Sequence, residues 1–208
     1  MVRHAKSVVG PHGDVQFSLE DASRTEREFR AEVTQLAIMC GATTINLPDT
    51  VGYAFPSAYG AIFADLREDV PLIEQNGIIL SCHCHNDLGM AVGNSIEAVL
   101  NGARQVECTI NGIGDELGTH SLAVVMALVM HQQALDAHTE VETKQIFNAS
   151  NTLARTTGLQ VARHTSIIGR NAFAHESGIH QDGMVKERTT YEIMRPEDVG
   201  RSGTDLVL

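Results

Sequence analysis

Residues 78–114 read IILSCHCHNDLGMAVGNSIEAVLNGARQVECTINGIG. The stretch opens on an apolar, β-rich run, Ile78–Cys82, and passes through a polar turn that ends in Asn86-Asp87-Leu88-Gly89. An amphipathic helical pattern follows over 89–101, Gly102 stands where that helix ends, and a second β-rich run covers Gln105–Ile110. Strand, polar loop and helix within about 30 residues make one βα unit, with the next strand behind it.

The same unit recurs upstream. Further β-rich runs are Val15–Leu19 and Thr43–Leu47, and helical patterns cover 25–39, 56–69 and 120–133. Pro56 suits a first helical turn, and Gly41 suits a helix end. Strands alternating with helices predict a parallel sheet with helices packed outside it. Four such units leave two open sheet edges, whereas a closed (β/α)8 barrel takes about 250 residues. Polar residues cluster just after each strand, at the rim where such barrels build their active sites. The expected fold is therefore α/β: the last four βα units of a TIM (β/α)8 barrel over 1–142, then the start of a small helical linker subdomain over 143–208. That second part predicts a helix from about 143, a Gly- and His-rich segment over 167–183, and a short helical piece within 187–208.

Composition narrows the class. Hydrophobic residues make up 43% of the 208, enough for a packed core, and charged residues 20%. No apolar run reaches the roughly 18 residues of a membrane span. The opening MVRHAKSVVGPHGDV lacks the apolar core of a signal peptide, so a cytoplasmic protein is expected. A net charge of −11 opposes nucleic-acid binding, which needs clustered Lys and Arg. The cysteines are Cys40, Cys82, Cys84 and Cys108. Cys82 and Cys84 flank His83 as if in a zinc motif. Alternate residues of a strand face opposite ways, so the Cys pair and the His pair cannot share one site.

The chemistry-bearing residues follow the strands. His83 and His85, at i and i+2 on a strand end, project from one side and can present both imidazoles to one divalent cation. Glu20-Asp21 and Asp49-Thr50 follow two earlier strands. Their carboxylates can orient a ligand, and the Thr50 hydroxyl can bind a substrate carboxylate; equally, such residues cap helices and close Asx turns. Asn111–His120 is Gly-rich but lacks the dinucleotide spacing. His175–Asp182 is not a metalloprotease helix, because its second His falls five residues on. With no apolar period, it reads as a functional loop whose His180 can carry a proton.

Three stretches, INLPDTVGYAFPSAYG (45–60), residues 80–114 and GRNAFAHESGIHQDGMVKERTTYEIMRPEDVG (169–200), resemble the α-isopropylmalate synthase family. The resemblance runs from about Asp14 to the C-terminus. It implies a Claisen-type condensation in leucine biosynthesis. A base takes a methyl proton from acetyl-CoA, the enolate attacks the ketone of 2-oxoisovalerate, and the thioester is hydrolysed. A divalent metal, Mn2+ or Mg2+ with Zn2+ also compatible, grips the 2-oxo acid and polarises its carbonyl. On this resemblance His83 and His85 are the metal pair and Thr50 contacts the substrate carboxylate. Glu20 is the active-site glutamate, and His180 works as acid–base with Tyr191 nearby. In the family those last two residues reach the neighbouring subunit's barrel, which implies a homodimer.

Two departures from the family pattern stand out. The Arg-Asp-Gly-Glu-Gln run, which supplies a metal-ligating Asp and a catalytic Arg, is absent, and so are the strands around it. Where the family writes G-E-R-A-G-N, with Asn a ligand, this chain has Gly114–Thr119; Thr119 is a weaker ligand, and Glu116 reverses the charge of the usual Arg. The family's C-terminal leucine-binding domain is also absent. Two alternatives remain: an inactive half-barrel that needs a partner chain, and a homocitrate or citramalate synthase.

Overall fold

The computed structural model describes residues 1–114, 121–203 and 205–206. They form two compact units, Met1–His138 and Thr139–Leu208.

The first unit runs α1 (Val2–Val9), β1 (Gln16–Ser18), α2 (Arg27–Met39), β2 (Thr44–Asp49), α3 (Pro56–Asp69), α4 (Leu72–Gln75), β3 (Ile79–Cys84), α5 (Ala91–Leu100), β4 (Gln105–Glu107), α6 (Ser121–Met130) and α7 (Gln132–Leu135). The four strands make one parallel sheet in the order β1-β2-β3-β4, with Gln16 beside Thr44, Thr44 beside Ile79 and Ser81 beside Gln105. Each strand thus lies next to its successor in sequence, and a helical crossover joins them, as parallel pairing demands.

The pleat sorts the side chains. Ile45, Leu47, Leu80, Cys82 and Cys84 join Tyr59, Phe63 and Leu66 of α3 and Ala98 of α5 in the core. Tyr59 and Phe63 meet edge to face, with centroids 5.3 Å apart. The Tyr59 hydroxyl donates to the Leu47 carbonyl, and burial pushes its phenol well above the usual range. Outside, Arg27 of α2 holds Asp65 and Asp69 of α3 at 2.8 and 2.6 Å, which draws the Asp69 carboxyl below its ordinary range. All three are solvent-accessible, so the pairs add little stability.

The opposite face of the sheet is polar. Gln16 donates to Glu107 at 2.6 Å, and Gln105 donates to Gln16 at 2.7 Å and to Ser81 at 3.0 Å. β1 and β4 are the two edges of this sheet. In a flat sheet, strands three places apart lie about 14 Å from one another, beyond direct bonding of side chains that stand parallel. The sheet is therefore strongly curved, with its polar face on the inside.

The second unit holds α8 (Ile146–Thr157), a two-residue β5 (Ala174–His175) paired in parallel with β6 (Asp205–Leu206), α9 (Gly178–Lys186), and 3-10 turns at Arg188–Thr190 and Pro196–Val199. The Arg201 guanidinium lies over the rings of Phe147 and Phe173 and donates to the carbonyls of Gly169 and Arg170, both at 3.0 Å. One expectation is corrected: 175–182 is not a loop but the end of β5 and the first half of α9. Gly178 and Gly183 weaken any helical signal in the sequence. The helix is held by tertiary contacts instead. Met184 is buried, and Gly183 lets the Tyr191 ring approach so closely that a Cβ there would sit 2.6 Å from it.

Candidate functional site

At the C-terminal ends of the four strands an open cleft of about 330 Å3 is lined by Ser18, Glu20, Asn46, Pro48, Thr50, His83, His85 and Glu107. Strand parity explains this set. Ser18 and Glu20, Asn46 and Pro48, and His83 and His85 are i, i+2 pairs on the concave face, while Cys82 and Cys84, which alternate with the two His, are buried among the helices. The rings of His83 and His85 lie 5.2 Å apart, centroid to centroid, inclined at 54°. Four of the residues singled out in the sequence, Glu20, Thr50, His83 and His85, thus share one cleft.

Thr50 is anchored from behind. Its Oγ1 accepts from the Asp21 N–H at 3.0 Å, and a hydroxyl that accepts there keeps its own proton for another acceptor. The neighbouring Asp49 does a different job. It is fully buried and closes the loop, its carboxylate accepting from Ala54 N at 3.1 and 3.3 Å and from Asn94 Nδ2 at 3.3 Å. Gly52 in this loop has φ 57° and lies against the turn after β3. A Cβ there would fall 2.4 Å from Asp87 Oδ2, 2.8 Å from Asp87 N and 3.0 Å from the His85 carbonyl oxygen. The loop bearing Thr50 and the turn bearing His85 are thus packed as one piece. Gly52→Ala is expected to cost about 1–3 kcal/mol, through a left-handed backbone that disfavours any Cβ and through the clash itself. Urea unfolding measures this; an unchanged midpoint would show that the two segments are not locked.

Glu107 was not singled out in the sequence. It lies one strand over from the His pair and accepts at both oxygens: Oε1 from Gln16, and Oε2 from Asn46 Nδ2 at 3.2 Å, with His83 Nδ1 2.9 Å from the same oxygen. The available signal was parity: Gln105 and Glu107 alternate with Val106 in β4, so both face inward. Paired imidazoles, one of them backed by a carboxylate, fit a share of a divalent-metal site. Among the described residues, however, no group of three or more His, Cys, Asp or Glu side chains is arranged to hold an ion, and two imidazoles alone would fill only part of a coordination shell. Thr119 lies outside the described residues, as does Glu116.

In the second unit His180 of α9 stacks on Tyr191, with centroids 4.2 Å apart and planes at 29°. His175 completes the group, 6.0 Å from His180, with its Nε2 3.9 Å from a Glu192 carboxylate oxygen. Glu192 is nearly buried and pairs with Arg188 at 3.0 Å. No helix among the described residues is long and apolar enough to cross a membrane.

Comparison with known proteins agrees with this architecture. The HMGL-like family model matches residues 1–153, and a model described as homocitrate synthase post-HMGL domain-like matches 167–208. A 2-isopropylmalate synthase of Caulobacter vibrioides is 53% identical over 208 residues, all of this chain but 39% of that protein. One of Rhodopirellula baltica is 55% identical over 196 residues, 94% of this chain and 37% of that one. The chain therefore spans about two-fifths of the length of the curated relatives it matches. Among solved structures, hydroxymethylglutaryl-CoA lyase from Pseudomonas aeruginosa superposes with a TM-score of 0.62 at 18% identity, over 77% of this chain and 54% of that one. That likeness concerns the fold, and it identifies the curved four-stranded sheet as part of a TIM barrel. With a family model covering most of its length, the chain belongs to the HMGL-like family.

Proposed function

We propose that this chain carries the metal-binding share of a 2-isopropylmalate synthase, a transferase that condenses acetyl-CoA with 2-oxoisovalerate. The observation that supports this most is the single cleft that gathers Glu20, Thr50, His83 and His85 at the strand ends. In this reading His83 and His85 hold the divalent ion, Mn2+ or Mg2+, and Thr50 donates its free proton to the carboxylate of the oxo acid. Glu20, exposed at the same rim, orients the reacting groups. The bound ion supplies Lewis-acid polarisation of the ketone. His180, stacked on Tyr191, moves the proton at its imidazole, and both act across a homodimer in the cytoplasm. The match of 167–208 to a model described as homocitrate synthase post-HMGL domain-like favours one competing reading, a homocitrate synthase.

A chimera separates these readings. Residues 1–208 replace the aligned 208 residues of the Caulobacter vibrioides relative, and CoA release is followed by thiol titration. Release is expected with acetyl-CoA and 2-oxoisovalerate in the presence of Mn2+, and it disappears in the His83→Ala chimera. Faster release with 2-oxoglutarate or pyruvate would overturn the leucine-pathway assignment. The 208-residue chain alone serves as the control and is expected to release no CoA above background. It contains no Arg-Asp-Gly-Glu-Gln run, and losing one group that stabilises transition-state charge costs about 10²–10³ in rate.

A further inference from the structure

We infer that Glu107 is a positioning residue for His83: it fixes the imidazole tautomer in which Nδ1 carries the proton and Nε2 keeps its lone pair for a metal ion. The inference rests on the proposed metal role of His83 and names what prepares that ligand.

The argument begins with hydrogen-bond polarity. Gln16 and Asn46 reach Glu107 through amide nitrogens, which only donate. Both carboxylate oxygens therefore act as acceptors. His83 Nδ1 lies 2.9 Å from Oε2, within hydrogen-bond distance of an atom already serving as an acceptor, so Nδ1 is the donor. A neutral imidazole that donates at Nδ1 has its acceptor pair at Nε2, the form a divalent cation takes.

Glu107 is itself held in place. Gln16, which donates to Oε1, accepts in turn from Gln105, and Gln105 also donates to Ser81 on the same strand as His83. Asn46, 2% exposed, is also braced against Ser18 at 3.1 Å. The chain of bonds runs from one edge strand to the other, so the carboxylate is immobilised by the curvature of the whole sheet. Its His83 contact spans 24 residues of sequence and its Gln16 contact 91. A purely structural role for Glu107 would leave the tautomer of His83 indifferent to its removal.

The test uses the full 208-residue chain, free of metal, labelled with 15N and observed by long-range 1H–15N correlation of the histidine rings. In the wild type His83 is expected to show the Nδ1–H pattern. In Glu107→Ala it shifts toward the Nε2–H form that dominates for a solvated imidazole. Mn2+ affinity, read by electron paramagnetic resonance of the free ion, is expected to fall about 10- to 100-fold in Glu107→Ala. Glu107→Gln keeps an acceptor for Nδ1–H without the charge. It should retain the tautomer and lose only about three- to ten-fold in affinity, because a neutral acceptor is roughly half as strong. It also supplies the answer should Glu107→Ala not fold.

An unchanged His83 tautomer in Glu107→Ala overturns the inference, as does a tautomer change that leaves Mn2+ affinity intact. Loss of Mn2+ in Glu107→Gln as complete as in His83→Ala also overturns it, since Glu107 would then be a direct ligand. If the wild-type chain binds no Mn2+, the metal reading of His83 falls, and the ring correlation still decides whether Glu107 holds the imidazole.

Discussion

Replacing His83 or His85 by Ala is expected to lower the Mn2+ affinity of the chain by about 100-fold or more, close to 2.7 kcal/mol for each. The two imidazoles stand on one face of β3 and the turn after it, with ring centroids 5.2 Å apart. In the proposed site each would contribute one lone pair, and among the described residues no group of three or more His, Cys, Asp or Glu side chains is arranged to hold an ion in place of the pair. A loss larger than the 10- to 100-fold typical of outer-shell partners separates a direct ligand from a residue such as Glu107. Binding also stabilises the fold, by about 2.7 kcal/mol when free metal stands at 100 times its dissociation constant. Mn2+ should therefore raise the melting temperature of the wild type and leave that of His83→Ala unchanged. His12→Ala, which removes an exposed imidazole elsewhere, is the control. Affinity within threefold of wild type in His85→Ala would remove the metal pair from consideration.

Phe63→Ala is expected to destabilise the first unit by about 3–5 kcal/mol. The Phe63 ring is fully buried on the inner side of α3, edge to face with Tyr59, itself fully buried and tied through its hydroxyl to the Leu47 carbonyl of β2. Removing the ring loses apolar burial and leaves a cavity that Tyr59 cannot fill without breaking that bond. Typical domains are stable by about 5–15 kcal/mol, so the variant gives up a large share of its stability. Urea denaturation followed by circular dichroism measures the loss. A change below about 1 kcal/mol would mean that α3 does not anchor the sheet as described.

The local layout of this protein was legible in its sequence. Periodicity placed the four strands, and Pro56 marked the first turn of α3. The two-residue repeat of a strand is enough to separate His83 from Cys82 and Cys84, both of which are buried. These features depend on neighbours within a few residues, where backbone geometry dictates which way a side chain points. The run read as a strand to Ile110 instead ends at Glu107, and Ile110–Gly112 turns into a 3-10 segment with Asn111 at φ 63°. Helix α9 carries glycines that hide it from any propensity argument, and it forms because Met184 is buried and Tyr191 packs on Gly183. Only the tertiary structure decided the curvature of the sheet and, through it, the role of Glu107, whose partners Gln16 and Asn46 lie 91 and 61 residues away. No local pattern encodes such a contact, because it exists only once the edge strands have been brought face to face across the concave side.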